Sequence, residues 1–281
     1  MTIGDLLKDA AARIAAAGLE EAQREARLLM IEATGLDRAA VFVHPEREID
    51  PVAAARLHTL VGRRVNREPM AHILGRREFW SLTFRVTADT LDPRPDSETL
   101  VQAVLDHVPD RSLPLRLVDF GIGTGCLLLA LLHELPAATG LGIDASEAAL
   151  GVARDNAAAL GLGPRAAFRH GNWDDGVEQE FDIVVSNPPY IPSREIDTLQ
   201  PEVARYEPRL ALDGGTDGLV AYRRLAPGAA RLLASRGLAA FEVGIGQSDA
   251  VAHIMAGAGL RRIATACDLA GIERALLFRK P

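Results

Sequence analysis

The sequence is poor in cysteine, lysine and aromatic residues, and it lacks any long apolar run. Its two cysteines, Cys126 and Cys267, are too few for a disulfide framework or a cysteine metal site, and a reducing cytoplasm is the expected location. No stretch reaches the roughly 18 consecutive apolar residues that a membrane-spanning helix needs. The start of the chain also lacks the basic segment and apolar stretch of a signal peptide.

Positive charge comes almost entirely from arginine, because lysine occurs only at positions 8 and 280. The net charge of −7 argues against a dedicated binder of bare nucleic acid, and no direct nucleic-acid binding is expected. An apolar content of 48% is enough for a sizeable core. The length of 281 residues corresponds to one large domain or two smaller ones.

The beginning of the chain has the apolar spacing of helices. This spacing covers residues 3–14 and 22–33, and Asp50-Pro51 is typical of an N-cap followed by a first-turn proline. Six arginines lie between residues 56 and 77, namely Arg56, Arg63, Arg64, Arg67, Arg76 and Arg77. The same stretch contains only one acidic residue, Glu68. This excess of positive charge favours either a solvated face or a docking surface for an anionic partner.

The pattern then changes to strands. In residues 79–86, apolar and polar side chains alternate from Leu82 onward, as in a half-buried strand. A helix is expected to begin near Thr99, with Ser97 or Asp96 as its cap.

From residue 115 strands alternate with helices. Strands are predicted at 115–120, 140–144, 166–170, 182–186, 238–243, 261–265 and 274–278. Helices are predicted at 124–135, 146–160, 219–235 and 247–256. This order predicts an α/β fold with a doubly wound, mostly parallel sheet.

A glycine-rich turn follows the first strand of this region. It has the spacing G-x-G-x-G from Gly121 to Gly125, with Asp119 two residues ahead, and Asp144 ends the next strand. A carboxylate there can accept hydrogen bonds from both ribose hydroxyls. The dinucleotide fingerprint G-x-G-x-x-G fails because Cys126 occupies its last position. The spacing fits S-adenosylmethionine, which has no pyrophosphate to place at a helix N-terminus.

The run Asn187-Pro188-Pro189-Tyr190 directly follows the buried strand predicted at 182–186. Two prolines remove two backbone donors, stiffen the chain and keep Asn187 out of helical geometry. A rigid loop at the carboxyl end of a central strand lies where open α/β sheets have their active sites. Such a loop would aim one amide side chain and the carbonyls beside it, which suits a planar N–H substrate.

These motifs together resemble the PrmC/HemK family, the N5-glutamine methyltransferases of peptide-chain release factors. The resemblance covers nearly the whole chain. Its further anchors are Arg67-Glu68-Pro69, Pro93-Arg94-Pro95, Glu207-Pro208, Ala211–Gly215 and Phe241-Glu242-Val243-Gly244.

The resemblance implies a Rossmann-like class I methyltransferase fold with a mostly parallel seven-stranded sheet. The domains it implies are an N-terminal helical substrate-recognition domain at 1–78, a β-hairpin linker at 79–95 and an S-adenosylmethionine-dependent methyltransferase domain at 96–281. Class I release factors would be the protein partners, and no membrane is involved.

The resemblance also implies residue roles. The methionine end of S-adenosylmethionine would be surrounded by Gly121, Ile122, Gly123, Thr124 and Gly125. Asp144 would bind the ribose, and Asn172 and Trp173 would flank the adenine. Asn187 and the Pro188 carbonyl would hold the glutamine amide of the Gly-Gly-Gln motif, with Pro189 and Tyr190 completing the catalytic loop. Asn187 would also contact the cofactor, and no metal is implied.

Three positions depart from the family pattern. Asn172 replaces the usual Asp, which keeps an acceptor but loses a charge-assisted hydrogen bond to the adenine. Ile122 replaces a common Thr. Asp92 occupies a usually apolar position, and the sequence offers no physical reason for it.

Other functions remain open at this point. An N-methyltransferase that acts on an exocyclic amine of a nucleic-acid base would use the same chemistry, but it predicts a basic groove that the acidic balance disfavours. Cys126 disfavours an NAD-dependent oxidoreductase. The intact loop from Asn187 to Tyr190 disfavours a protein that binds S-adenosylmethionine without catalysis.

Overall fold

The computed structural model describes all residues from Met1 to Pro281. Its helices are α1 (Ile3–Ala16), α2 (Ala22–Thr34), α3 (Arg38–Val43), α4 (Pro51–Val65), α5 (Met70–Leu74), α6 (Glu98–Asp106), α7 (Cys126–Glu134), α8 (Glu147–Ala159), α9 (Pro201–Tyr206), α10 (Val220–Leu232) and α11 (Ser248–Gly257). Its strands are β1 (Arg76–Phe79), β2 (Leu82–Arg85), β3 (Arg116–Phe120), β4 (Thr139–Asp144), β5 (Ala166–His170), β6 (Phe181–Ser186), β7 (Leu233–Glu242), β8 (Arg261–Cys267) and β9 (Glu273–Arg279). None of the helices combines the length and apolar composition needed to cross a bilayer.

The chain divides into two compact units. The first contains Met1–Gly75 together with the distant segment Gln200–Tyr206, and the second contains the remaining residues. In the first unit, α1, α2 and α4 pack around a core that includes Ile3, Leu6, Ile14, Leu29, Met30, Leu57 and Val61. The predicted domain range 1–78 ends three residues beyond Gly75 and does not include the distant segment.

Ion pairs occupy most of the arginine-rich stretch of the first unit. Arg64 is only 6% exposed, and its guanidinium lies 2.8 Å from Glu25 and 3.0 Å from Glu202. Glu202 also accepts a hydrogen bond of 2.8 Å from Arg67, while Arg63 pairs with Glu68. The stretch is therefore neither a fully solvated face nor a row of free cations. The sequence did not reveal this because the acids come from distant parts of the chain.

The second unit is built on a seven-stranded sheet in the order β5-β4-β3-β6-β7-β9-β8. The first five strands in this order, β5, β4, β3, β6 and β7, pair in parallel with their neighbours. Strand β9 pairs antiparallel with both β7 and β8. Apolar side chains cover both faces of this sheet. The predicted α/β fold with a mostly parallel sheet is confirmed. The carboxyl ends of β3, β4, β5 and β6 meet at one edge, since neighbouring parallel strands end on the same side.

The β-hairpin begins at Arg76, before the predicted linker, and its turn is unusual. Trp80 and Ser81 both have positive φ, at 53° and 58°, as in a type I′ turn. Such turns favour Asn-Gly or Gly-Gly, so Trp-Ser carried no turn signal, and residues 79–86 resembled one strand.

Two other local predictions are wrong. The helix predicted at 219–235 ends at Leu232, because Leu233 already pairs with Phe181 and the register then shifts at a bulge. Ser97 holds the N-cap position of α6, as predicted, but neither Ser97 nor Asp96 makes a side-chain cap, since a 3₁₀ turn at Pro95–Ser97 leads directly into the helix. Ser97 stands at the N-terminus of this helix, yet its side chain bonds no helix amide, and Asp96 instead accepts a hydrogen bond from Arg274 at 2.9 Å.

Candidate active site

A cavity of about 610 Å³ lies in the second unit, beyond the carboxyl ends of β3, β4, β5 and β6. The predicted site residues that line it are Gly121, Ile122, Gly123, Thr124, Asp144, Asn172, Trp173, Asn187 and Pro189. Three others, Gly125, Pro188 and Tyr190, do not line it. The fold thus collects most of the predicted residues around one space.

The glycine loop after β3 has a backbone that other residues rarely adopt. Gly121, Gly123 and Gly125 have φ values of 75°, 53° and 84°. The amides of Gly121 and Ile122 both donate to the Ile143 carbonyl, at 2.8 and 3.1 Å, which fixes the loop to the end of β4. A Cβ added at Gly123 would meet no atom within 4 Å, so this part of the loop faces open space.

Asp144 is oriented by two backbone amides. Its carboxylate accepts hydrogen bonds from the Gly123 amide at 2.9 Å and from the Ser146 amide at 2.8 Å. Each carboxylate oxygen has a second lone pair, so both can still accept a hydrogen bond from a ligand. The acid is therefore held ready to receive hydroxyl donors in the cavity.

Trp173 has φ = 55°, which is a genuine outlier for a bulky side chain. Its ring packs partly against the core and lies 3.6 Å from the point that a Cβ of Gly121 would occupy. Asn172 beside it is exposed. A strained backbone here holds the indole ring against the glycine loop.

Asp119 lies buried at the end of β3, only 1% exposed, and its Oδ1 has no hydrogen-bond partner. Burial, reinforced by the nearby Asp144, raises the pKa of Asp119 to about 8. At neutral pH this carboxyl is therefore mostly protonated.

The loop from Asn187 to Tyr190 is held by three side chains from other parts of the chain. Asn187 Nδ2 donates to Ser97 Oγ at 3.3 Å, and the Tyr190 hydroxyl donates to Glu242 Oε1 at 3.4 Å. Gln247 Nε2 donates to the Tyr190 carbonyl at 2.9 Å. At the strand end, Ser186 Oγ donates to the Phe120 carbonyl at 2.6 Å. This loop is rigid because its contacts, as well as its prolines, fix it.

Two glycines allow close packing behind the same loop. An added Cβ would stand 2.8 Å from Tyr190 Cα at Gly214 and 2.4 Å from the Tyr190 carbonyl oxygen at Gly218. Ile191 also forms a bridge with Asp213. These contacts explain why the run Ala211–Gly215 accompanies the Asn-Pro-Pro-Tyr motif.

Asp92 gains a physical explanation from the structure. Its amide donates to Glu207 Oε2 at 3.1 Å, and its Oδ1 lies 3.7 Å from Arg77. Glu207 also accepts a hydrogen bond of 3.0 Å from Arg94, which lines the cavity. Burial raises the pKa of Glu207 to about 7. This group of charges joins the linker to the segment that begins at Glu207.

Sequence reasoning missed several residues that support the site. The sequence predicts Ser97 as a helix cap, and it marks Glu242 only as one residue of the motif Phe241-Glu242-Val243-Gly244. An isolated acid in the apolar run Ala239–Val243 was the available signal for a buried carboxyl. Asn156, only 1% exposed, bonds the Thr124 carbonyl at 2.9 Å and the Arg85 amide at 2.7 Å, and nothing in the sequence pointed to it.

Two family models match the chain. The model described as the PrmC N-terminal domain matches residues 5–75, and the model described as the methyltransferase small domain matches residues 93–233. Among solved structures, the ribosomal protein L11 methylase of Lactobacillus delbrueckii subsp. bulgaricus is 20% identical, with a TM-score of 0.50, over 67% of this chain and 81% of that one. That similarity concerns the fold alone.

Curated relatives match over nearly their full length. The release factor glutamine methyltransferase of Caulobacter vibrioides is 47% identical over 266 residues, which is 94% of this chain and 92% of that protein. The enzyme of the same name from Rhodospirillum rubrum is 47% identical over 280 residues, covering 100% of this chain and 86% of that protein. The one from Cereibacter sphaeroides is 44% identical and covers 100% of this chain and 99% of that protein.

Proposed function

The chain belongs to the release factor glutamine methyltransferase family, and we propose from this premise that it methylates the glutamine of the Gly-Gly-Gln motif in class I release factors. The methyl donor is S-adenosylmethionine, and the acceptor is the side-chain amide nitrogen. Identity of 47% over almost the whole length of relatives that carry this name supports the assignment. The relatives do not favour the alternative of a nucleic-acid base as substrate.

The cavity fits the cofactor. Its volume of about 610 Å³ falls among ligand pockets of roughly 300–1,000 Å³. In our proposal the glycine loop surrounds the methionine end, Asp144 accepts hydrogen bonds from the ribose hydroxyls, and Trp173 and Asn172 contact the adenine. When bound, S-adenosylmethionine supplies an electrophilic methyl group on a sulfonium.

The remaining task of the protein is to hold a weakly nucleophilic amide. The amide lone pair is delocalised into the carbonyl, so the acceptors around the nitrogen decide how it is presented. In our proposal Asn187 Oδ1 and the Pro188 carbonyl each accept one amide hydrogen, which directs the nitrogen lone pair toward the methyl group. The same acceptors stabilise positive charge that develops on nitrogen. The observation that most supports this proposal is that Asn187 lines the same cavity as Asp144 and Trp173.

The helical first unit is proposed to recognise the release factor. Its arginines are largely engaged in internal ion pairs, so recognition depends on its surface as a whole rather than on a row of free cations. We propose that the reaction takes place in the cytoplasm, where release factors act, and that no nucleic acid is bound directly.

Mass spectrometry of a class I release factor after incubation with the protein and S-adenosylmethionine tests the function. We expect one added methyl on the glutamine of Gly-Gly-Gln and none on a release factor in which that glutamine is replaced by asparagine. An adenine-containing oligonucleotide should stay unmethylated. Methylation of the oligonucleotide but not of the release factor would overturn the proposal.

A variant of the acceptor tests the mechanism. Asn187→Ala removes a preorganised acceptor, and by analogy with the loss of one oxyanion-hole donor turnover should fall roughly a hundredfold to a thousandfold. Asn187→Asp keeps the shape and acceptor oxygens and should retain partial activity. Cofactor affinity should change much less in both variants. A near-normal single-turnover rate in folded Asn187→Ala would show that the loop is only a structural turn.

A further inference from the structure

The loop after β5 places one asparagine amide on the cavity wall. The Gly171 amide donates to the Asp144 carbonyl at 3.0 Å, which ties the start of this loop to the end of β4. Asn172 is the next residue, and it lines the cavity together with Asp144 and Trp173. The Asn172 amide therefore stands beside the acid and the ring that we propose to hold the nucleoside part of the cofactor.

The two acids that follow in this loop are engaged elsewhere. Asp174 pairs with Arg231 at 2.8 Å, and Asp175 pairs with Arg224 at 2.7 Å. Neither acid lines the cavity, whereas Asn172 does. Asn172 is therefore the residue of this loop whose side-chain oxygen can serve a ligand in the cavity.

The Asn172 side chain is exposed and hydrogen-bonds no other group of the protein. A half-turn of an asparagine amide exchanges its acceptor oxygen and its NH₂ donor. Asn156 cannot make this turn, because its oxygen accepts from the Arg85 amide at 2.7 Å and its nitrogen donates to the Thr124 carbonyl at 2.9 Å. Asn172 has no such partners, so it can turn toward a ligand without losing a contact within the protein.

A purine base presents one of two groups at its carbon 6. Adenine has an amino group there, which needs an acceptor. Hypoxanthine, the deaminated counterpart of adenine, has a carbonyl there, which needs a donor. A carboxylate only accepts hydrogen bonds, so it suits the amino group and repels the carbonyl, whereas an amide that turns freely suits both.

We propose that Asn172 is a specificity-determining residue that makes the cofactor site tolerant of either group at carbon 6 of the purine. The site then takes S-inosyl as well as S-adenosyl compounds. This inference rests on the proposed function, which places the base beside Asn172 and Trp173. Arg224 also lines the cavity, but a guanidinium only donates, so it cannot accept from an amino group.

Calorimetry with S-adenosylhomocysteine and S-inosylhomocysteine tests the proposal without any methyl transfer. The unmodified protein should bind the two compounds with affinities within about tenfold of each other. Asn172→Asp should keep its affinity for the adenosyl compound and lose affinity for the inosyl compound, which raises the ratio of the two affinities at least about tenfold. The same ratio in both proteins, or no binding of the inosyl compound to the unmodified protein, would overturn the proposal.

Two further variants show whether the effect belongs to this position. Asn172→Ala removes both the acceptor and the donor, so both compounds should lose affinity by about the same factor and their ratio should stay near that of the unmodified protein. Asn187→Asp makes the same change from amide to carboxylate on the loop after β6, and it should leave the ratio unchanged. An equal rise of the ratio in Asn187→Asp would show a general effect of charge in the cavity and would refute the role of Asn172.

The binding ratio and the methylation assay give separate answers. If the unmodified protein binds both compounds but does not methylate the release factor, the proposed function is refuted and the tolerance for both bases stands. If methylation is normal and the ratio is unchanged in Asn172→Asp, the role of Asn172 is refuted and the function stands. If neither compound binds the unmodified protein, the cofactor site is wrong and the proposal for Asn172 is overturned with it.

Discussion

Two acidic residues near the site are buried, and each has a side-chain oxygen without a hydrogen-bond partner. Asp119 and Glu242 each contain a carboxylate oxygen that is buried without a hydrogen-bond partner, while both oxygens of Asp144 are engaged by backbone amides. Burial also raises the pKa of Glu242 to about 7. Burial thus makes Asp119 and Glu242 hold their protons more strongly than exposed acids do. Such perturbed groups are characteristic of functional sites.

Replacing Asp144 tests the cofactor assignment. Asp144→Asn should weaken binding of S-adenosylmethionine at least about tenfold, because charged hydrogen bonds contribute roughly 1.5–3 kcal/mol each. Asp155→Asn is the control, since Asp155 is an exposed acid on α8 that pairs with Arg85. Calorimetry measures both affinities. Equal affinities for the two variants would refute the ribose-binding role.

For single residues, the sequence predicted those whose own side chain or backbone lies in the cavity motifs. It missed residues whose importance comes from a contact with a distant part of the chain. The glycines, Asp144 and Asn187 follow strand ends in the sequence, and parallel pairing brings strand ends together. The contact between Ser97 and Asn187 joins positions 90 apart along the chain. No local pattern records such a contact, because it depends on how two loops meet after folding.

Among the elements, the loop after β6 depends most on its surroundings. Glycines 214 and 218 let a neighbouring segment of backbone approach Tyr190 more closely than any side chain would permit. Gln247 bonds the Tyr190 carbonyl and also accepts a hydrogen bond from the Gly244 amide at 3.1 Å. The geometry of this loop is therefore a property of three chain segments together.

Gly214→Ala should disturb catalysis without unfolding the protein. The new methyl would overlap Tyr190 Cα at 2.8 Å, so the loop must move, at an expected cost of roughly 1–3 kcal/mol in the free energy of unfolding. We expect the single-turnover rate to fall more than the cofactor affinity. Gly151→Ala in α8 is the control, because its methyl would meet nothing within 4 Å and alanine favours a helix by about 1 kcal/mol. A Gly214→Ala variant with normal rate would show that the close packing is unimportant.

Strands and helices were predicted from the sequence wherever apolar periodicity was long. The strand at 166–170 matches β5 residue for residue, and the helix predicted at 146–160 differs from α8 by one residue at each end. Prediction failed at the Trp80-Ser81 turn and at the bulge before Leu238. There tertiary packing imposes a backbone that the local residues do not favour.

At the scale of the whole molecule, sequence order and compact units do not coincide. The segment Gln200–Tyr206 belongs to the unit formed by Met1–Gly75. It contributes Glu202 to the ion pairs of Arg64 and Arg67, and the Tyr206 hydroxyl donates to the Asn66 carbonyl at 2.9 Å. A protein cut after residue 75 would consequently lack a group that its own buried arginine requires.

Arg64 should be a main determinant of stability in the first unit. Arg64→Met keeps the apolar stem but leaves Glu25 and Glu202 without their buried partner, which should cost about 3 kcal/mol. Arg56→Met removes a largely exposed pair with Glu32 and should cost less than about 1 kcal/mol. Native-state hydrogen exchange of amides in α2 and α4 measures both. Similar losses of protection in the two variants would contradict the importance of burial.

Stability of the second unit should fall as pH rises from about 5 to 8. The folded pKa of Asp119 is raised to about 8, so the folded protein retains a proton that the unfolded chain loses near pH 4, and each step toward higher pH favours unfolding. Asp119→Asn cannot titrate and should flatten this dependence. Glu207 and Glu242, with pKa values raised to about 7, should preserve part of the slope.

Urea unfolding followed by the fluorescence of Trp80 and Trp173, both in the second unit, gives the midpoint at each pH. From pH 5 to pH 8 the urea midpoint of the unmodified protein should fall relative to the midpoint of Asp119→Asn. Parallel curves would mean that Asp119 is already ionised in the folded protein.

The remote position of Glu202 has a consequence for biosynthesis. Arg64 and Glu202 are 138 residues apart, so a ribosome adding about 5–20 residues per second needs about 7–28 s between them. During that interval the carboxylate of Glu202 does not yet exist, so the arginine has only Glu25 for neutralisation. The first unit therefore cannot complete its buried ion pairs until residue 202 has been translated.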